Sequence, residues 1–180
     1  MKSLALFIFS IVFSAQSYGF PEMGDQAILT GTIAVNGEPF PAKLQQQLVE
    51  QKGDGEEMLL TSQFFIEDTL ASDESEWKKR KDLPDNSLVQ MILAVCEQQG
   101  GVKESIKVPA GTYDTCKFPI EENGMAQFGV KPAGFSSQSQ ISGFYWIGLA
   151  PFALIKIHQV ESDEQRTFAL DLELSEFTGQ

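Results

Sequence analysis

The chain has 180 residues and sets 13 Lys+Arg against 25 Asp+Glu, a formal net charge of −12. That balance opposes nonspecific binding to nucleic acid or anionic lipid and favours solubility. The length suits one domain with a substantial core, and two cysteines with one histidine cannot build a closed zinc site of the usual kind.

The first residues read as an export signal. Met1-Lys2 gives a positive start, Leu4 to Phe13 an uncharged apolar run, and Ser14, Ala15, Ser17 and Gly19 a small or polar exit. Ser17 and Gly19 occupy the positions where signal peptidase requires small side chains, so cleavage is expected after Gly19, with Ser17 the alternative. The run is shorter than the roughly 20 residues of a membrane span, and no Cys stands nearby to carry a lipid anchor. Residues 1–19 are therefore expected to be a signal peptide and 20–180 a single periplasmic or secreted domain. Losing Lys2 leaves 12 Lys+Arg against 25 Asp+Glu, a charge of −13. In an oxidising compartment the even pair Cys96 and Cys116 reads as one disulfide, which in the chain-entropy model stabilises by roughly 3 kcal/mol.

In chain order, several stretches alternate with the two-residue period of half-buried strands. Ala27 to Val35 places Leu29, Ile33 and Val35 on one face and Thr30 and Thr32 on the other. Lys43 to Gln51 and Met58 to Ile66 flank Lys52-Gly53-Asp54-Gly55, a hairpin turn. Thr69 to Lys81 is polar and reads as a short helix or a long excursion. Pro84 to Ser87 are helix start signals, Leu88, Val89, Met91, Ile92 and Val95 form an apolar stripe, and Gly100-Gly101 closes the helix.

A second hairpin follows. Glu104, Ile106 and Val108 lead into Pro109-Ala110-Gly111-Thr112, and Tyr113 to Phe118 returns. With Val108 opposite Tyr113, Lys107 faces Asp114, Glu104 faces Lys117 and Cys116 faces Ser105, opposite charges favouring the register by a few tenths of a kcal/mol each. With Cys96 in the last helical turn, the disulfide pins the helix end to this hairpin. Phe168 to Ser175 is the cleanest strand, with one wet face. The elements make an α+β chain, mostly antiparallel β.

Few stretches suggest chemistry. Phe144 to Ile155 is the most apolar internal run, too short and too broken by Gly and Pro for a membrane span. It reads as a core strand bent at Pro151; the alternative is an apolar wall facing a ligand cavity. Lys78-Lys79-Arg80-Lys81 reads as a solvated loop or helix end, with a docking patch for an acidic partner or lipid headgroup as the alternative. His158 is placed on the face of Lys156 and Leu154, with no Ser nucleophile motif and no second His. Paired carboxylates for glycoside hydrolysis stay open because a sequence does not give their separation. No cofactor motif is present, and the chain is expected not to be an enzyme.

Two stretches resemble a known family. Cys96-Glu97, Gly100-Gly101 and Val108-Pro109-Ala110-Gly111-Thr112-Tyr113-Asp114-Thr115-Cys116 resemble a "CE..GG…VPAGTF.TC" signature of exported bacterial proteins. Trp146, Pro151 and Ile155-Lys156 resemble the "W…VPLG.LVK" strand that follows it there. Those proteins are similar to the lipoprotein-carrier (Lol-type) fold, which implies a strongly curved antiparallel sheet, a half-barrel, with one or two helices covering its concave face. The resemblance further implies an open hydrophobic cavity, with the helix Leu88 to Val95 as its lid and no catalysis. The chain departs from the pattern in placing Ala153 where a Gly is common and Ile157-His158 where an acidic residue often follows Lys. The expected ligand-binding residues are Met91, Ile92, Phe144, Trp146, Phe152 and Leu154, and the expected ligand a lipid or other apolar molecule. The competing expectation is a structural or interaction protein of the envelope with a closed core and an envelope protein as partner.

Overall fold

The computed structural model describes residues 21–120, 140–163 and 166–178. The export signal expected at 1–19 lies outside them. Among the described residues nine strands form one antiparallel sheet: β1 (Gln26–Val35), β2 (Glu38–Lys52), β3 (Glu57–Ile66), β4 (Thr69–Lys79), β5 (Val102–Val108), β6 (Gly111–Pro119), β7 (Gln140–Gly148), β8 (Leu154–Ser162) and β9 (Thr167–Thr178). Between β4 and β5 come short 3-10 turns and the α-helix α1 (Asn86–Val95). The strand order is β4-β3-β2-β1-β9-β8-β7-β6-β5, an open sheet ending on β4 and β5.

The β1–β4 hairpins follow from local chemistry. Val35 pairs with Glu38 across Asn36-Gly37, both at positive φ, which is the two-residue turn whose twist matches the strands. Ile66 pairs with Thr69 across Glu67-Asp68, also both at positive φ but without a glycine to announce it. That turn makes Thr69–Lys79 a strand, correcting the reading of Thr69 to Lys81 as a helix or excursion. Only Arg80–Asp82 is helical there, as one 3-10 turn.

One face of the sheet carries most of the core. Leu44, Leu29 and Leu174 are direct neighbours across β2, β1 and β9, and each is fully buried. Leu172 and Ile157 face one another across β9 and β8 and are buried likewise. Gly31 sits where a side chain would drive into the Asp171 carbonyl of the adjoining strand.

The helix is capped as expected. The Leu88 N–H donates to the Asp85 carboxylate at 2.6 Å, satisfying one of the orphan amides of the first turn. At the far end Gly100 takes the left-handed conformation and the Gly101 N–H donates to the Cys96 carbonyl. Cys96 lies in the 3-10 turn Cys96–Gln99 that continues the helix, and its disulfide to Cys116 is formed. Of the apolar stripe, Val89 alone is buried.

Two other expectations are corrected. The β5–β6 hairpin closes over Pro109-Ala110 alone, so Val108 pairs with Gly111, Ile106 with Tyr113 and Lys103 with Cys116. The register is two residues from the expected one. Weak charge pairs are outweighed by the burial of Val108 and by the Ala110 N–H donating to the Leu174 carbonyl of β9. The run Phe144 to Ile155 is also not one bent strand. It is the β7–β8 hairpin, turning through residues 149–153 with Phe152 and Ala153 at positive φ. A register shift beside Ile155 follows, pairing Leu154 with Ile147 and Lys156 with Trp146. Leu154 is therefore buried in the core and does not share the half-exposed face of Lys156 and His158.

Candidate functional site

The residues expected to bind a ligand divide between the two sides of the sheet. Directly opposed residues of an antiparallel pair point to the same side, and Lys117, Trp146, Lys156 and Glu173 form one such row across β6, β7, β8 and β9. Pro119, Phe144, His158 and Asp171 form the next row on that same side. Cys116, adjacent to Lys117 in β6, points the other way, and its disulfide holds the end of the helix there. The helix, with Met91 and Ile92, is thus anchored to the side opposite Phe144 and Trp146. Met91 is 56% exposed, whereas Trp146, Phe152 and Leu154 are buried and belong to the core cluster. The six do not converge on one site.

What does converge is an aromatic–lysine strip on the outer side. The Phe144 and Trp146 rings meet edge to face with centroids 6.4 Å apart. The Lys117 ammonium stands 4.1 Å from the Phe144 centroid and 5.1 Å from that of Trp146, while Lys156 approaches Trp146 at 5.6 Å. Trp146 is buried, and its indole N–H donates to the Glu104 carboxylate. A buried indole requires such a partner. Phe144 stays 40% exposed, and Val102, opposite Lys117 on β5, is 58% exposed.

The electrostatics of the strip distinguish its two lysines. Lys156 donates to Glu173 at 2.6 Å and pairs with Asp171 at 3.5 Å. Partial burial pulls its pKa down, but the hydrogen bond to Glu173 and the charges of Asp171 and Glu173 outweigh that, and the net shift is upward. Asp171 also lies 3.3 Å from His158 Nδ1. Both carboxylates are thus committed to neighbouring cations. Lys117 has no carboxylate partner among the described residues; aromatic faces surround it. Among the described residues no group of three or more His, Cys, Asp or Glu could hold a metal ion, and no helix is long and apolar enough to cross a membrane.

Phe144 and Trp146 stand out in the sequence as parts of an apolar run, but Lys117 and Glu104 read there only as each other's cross-strand partners. Their role in the strip depends on the observed register, and on Ile155 being skipped in the β7–β8 pairing.

No protein-family model matches the chain, and no curated protein matches it significantly. Among solved structures, a candidate exported protein of Bacteroides fragilis with a YmcC-like fold is similar over 91% of this chain and 100% of its own, with 9% identity and a TM-score of 0.45. A likeness at that level carries no argument about what this chain binds.

Proposed function

We propose that this chain is an exported, non-catalytic binding protein of the cell envelope that works by surface contact through Phe144 and Lys117, held in place by the buried Trp146 beneath them. The observation that carries the reading is the contrast between the sheet's two sides. The core side is filled by its own leucines and isoleucines, with Leu29, Leu44, Leu48, Ile157, Leu172 and Leu174 fully buried. The outer side presents a half-exposed phenylalanine beside a lysine that lacks an acidic partner among the described residues. Exposed aromatics next to a cation are the usual anchors of a recognition surface. The disulfide is in keeping with an oxidising compartment.

The test is a photo-crosslinking amino acid in place of Phe144 in exporting cells, with Glu22 on the exposed N-terminal segment as the control site. A defined product from position 144, absent from position 22 and lost with Lys117→Glu, is the expected result. Equal labelling at both positions, or none, would overturn the reading.

A second reading keeps the curved, lipoprotein-carrier-like sheet with an apolar ligand under the helix. It draws on the helix itself, where only Val89 is buried and Met91 faces water. An element so lightly packed is suited to opening. Organic-solvent extraction of the purified mature protein distinguishes this reading by recovery of a bound lipid.

A further inference from the structure

β4 is an end strand. Among the described residues no strand pairs with its outer edge, and most of its residues are exposed. Such an edge offers a row of unsatisfied backbone N–H and C=O groups to any strand that can align with it. Edges are blunted by Pro, by charged side chains and by bulges; β4 has no Pro, and its bulge at Ala71 lies near its start. Beyond that bulge its charges are segregated: Asp73, Glu74 and Glu76 lie before Trp77, Lys78 and Lys79 after it. Lys78 pairs with Glu76 at 2.7 Å. Asp73, Glu74 and Lys79 have no ion-pair partner among the described residues.

We propose that the β4 edge pairs with the β4 edge of a second copy of this chain, antiparallel, about a two-fold axis at Glu76. A two-fold axis perpendicular to the sheet keeps each face on its own side, so a residue must meet one of like parity. Centring on Glu76 places Asp73 opposite Lys79 of the second copy, two complementary pairs by symmetry. Glu74 comes opposite Lys78 of the second copy, which bridges it to that copy's own Glu76, and Ser75 meets Trp77. A parallel pairing would instead set acid beside acid. The arrangement occupies both β4 edges and stops at two copies. It lies at the opposite end of the sheet from the aromatic–lysine strip, so it stands or falls independently of the proposed function.

Sedimentation of the oxidised mature protein over a concentration series tests this. The expected result is a monomer–dimer equilibrium, with β4 amides gaining hydrogen-exchange protection as concentration rises. Lys79→Glu is expected to weaken the dimer several-fold, since two attractive pairs become repulsive while Lys78 stays on Glu76. Adding Asp73→Lys to that variant restores complementarity and is expected to restore the dimer. Circular dichroism on each variant confirms the fold. A monomer at every concentration, a dimer indifferent to Lys79→Glu, or a double variant that stays monomeric would each overturn the proposal.

Discussion

At one end the sheet stops on β4, eleven residues wetted on both faces and, among the described residues, paired as a strand with β3 only. At the other it stops on β5, only seven residues long, yet the hairpin it forms with β6 is tied down at both extremities. The Cys96–Cys116 bond fixes its base to the helix end, and the Ala110 N–H at its tip donates to the Leu174 carbonyl. Trp146 adds a third tie by accepting Glu104 of β5 as the partner of its indole. A short end strand is thus made secure by cross-links to its surroundings, while a long one is left as charged ribbon.

This contrast is open to attack, and the largest effect is expected from the disulfide. Replacing Cys96 and Cys116 together by Ala should lower stability by about 3 kcal/mol, read from urea unfolding. Hydrogen exchange should show protection lost first in β5, β6 and α1, with β1–β3 retaining theirs. Uniform loss across the sheet would erase the distinction between the ends.

Gly101 sharpens the point. A Cβ there would collide with the sulfurs of both cysteines and with the Phe118 ring, so Gly101→Ala should cost about 2 kcal/mol by overpacking. In the Cys-free background two of those clashes are gone, and the same substitution should cost less than half as much. Equal cost in both backgrounds would mean that the sulfurs are not what confines this glycine.

Asp85→Ala removes the helix cap and should cost about 1 kcal/mol, visible as faster exchange of the first-turn amides with β2–β4 unchanged. The smallest effect concerns Lys156. Its pKa is raised in the folded protein, so its contribution to stability is complete at neutral pH. That contribution is lost as pH rises through the raised value, above the ordinary lysine range. Because the ammonium is partly exposed, the loss is a small alkaline decline in thermal stability. Lys156→Met should flatten it.

How much of this was legible beforehand depended on whether a segment had one wet face and one dry one. β1 and β9 alternate cleanly because Leu29, Ile33, Leu170, Leu172 and Leu174 face the core while Thr30, Thr32, Asp171 and Glu173 do not. β4 has no dry face, so it gives no period to read, and its leading turn Glu67-Asp68 lacks the glycine that announces one. The β7–β8 turn was hidden for the converse reason. Ala150, Pro151, Phe152 and Ala153 are buried, and a turn made of core residues reads as more strand. The hairpin register failed on magnitudes, since charge pairs of tenths of a kcal/mol compete with the burial of Val108. At the candidate site, Phe144 and Trp146 were visible as bulky residues. That they turn away from the helix follows from the parity of Cys116 against Lys117, which only the observed pairing reveals.

The strand order has a consequence for a chain that emerges from its N-terminus. β1 to β4 form one continuous meander and β5 to β8 another, and among the described strands it is β9, lying between β1 and β8, that pairs the two into one sheet. Until Thr167–Thr178 arrives, each meander has an incomplete core and an extra bare margin, along β1 on one piece and β8 on the other. Growth of the polypeptide therefore yields two half-finished ribbons before a single late strand welds them. The interval before that weld, and not the mature β4 border, is when the apolar rows Ala27–Leu29–Ile33 and Ile155–Ile157 most need shielding from other chains.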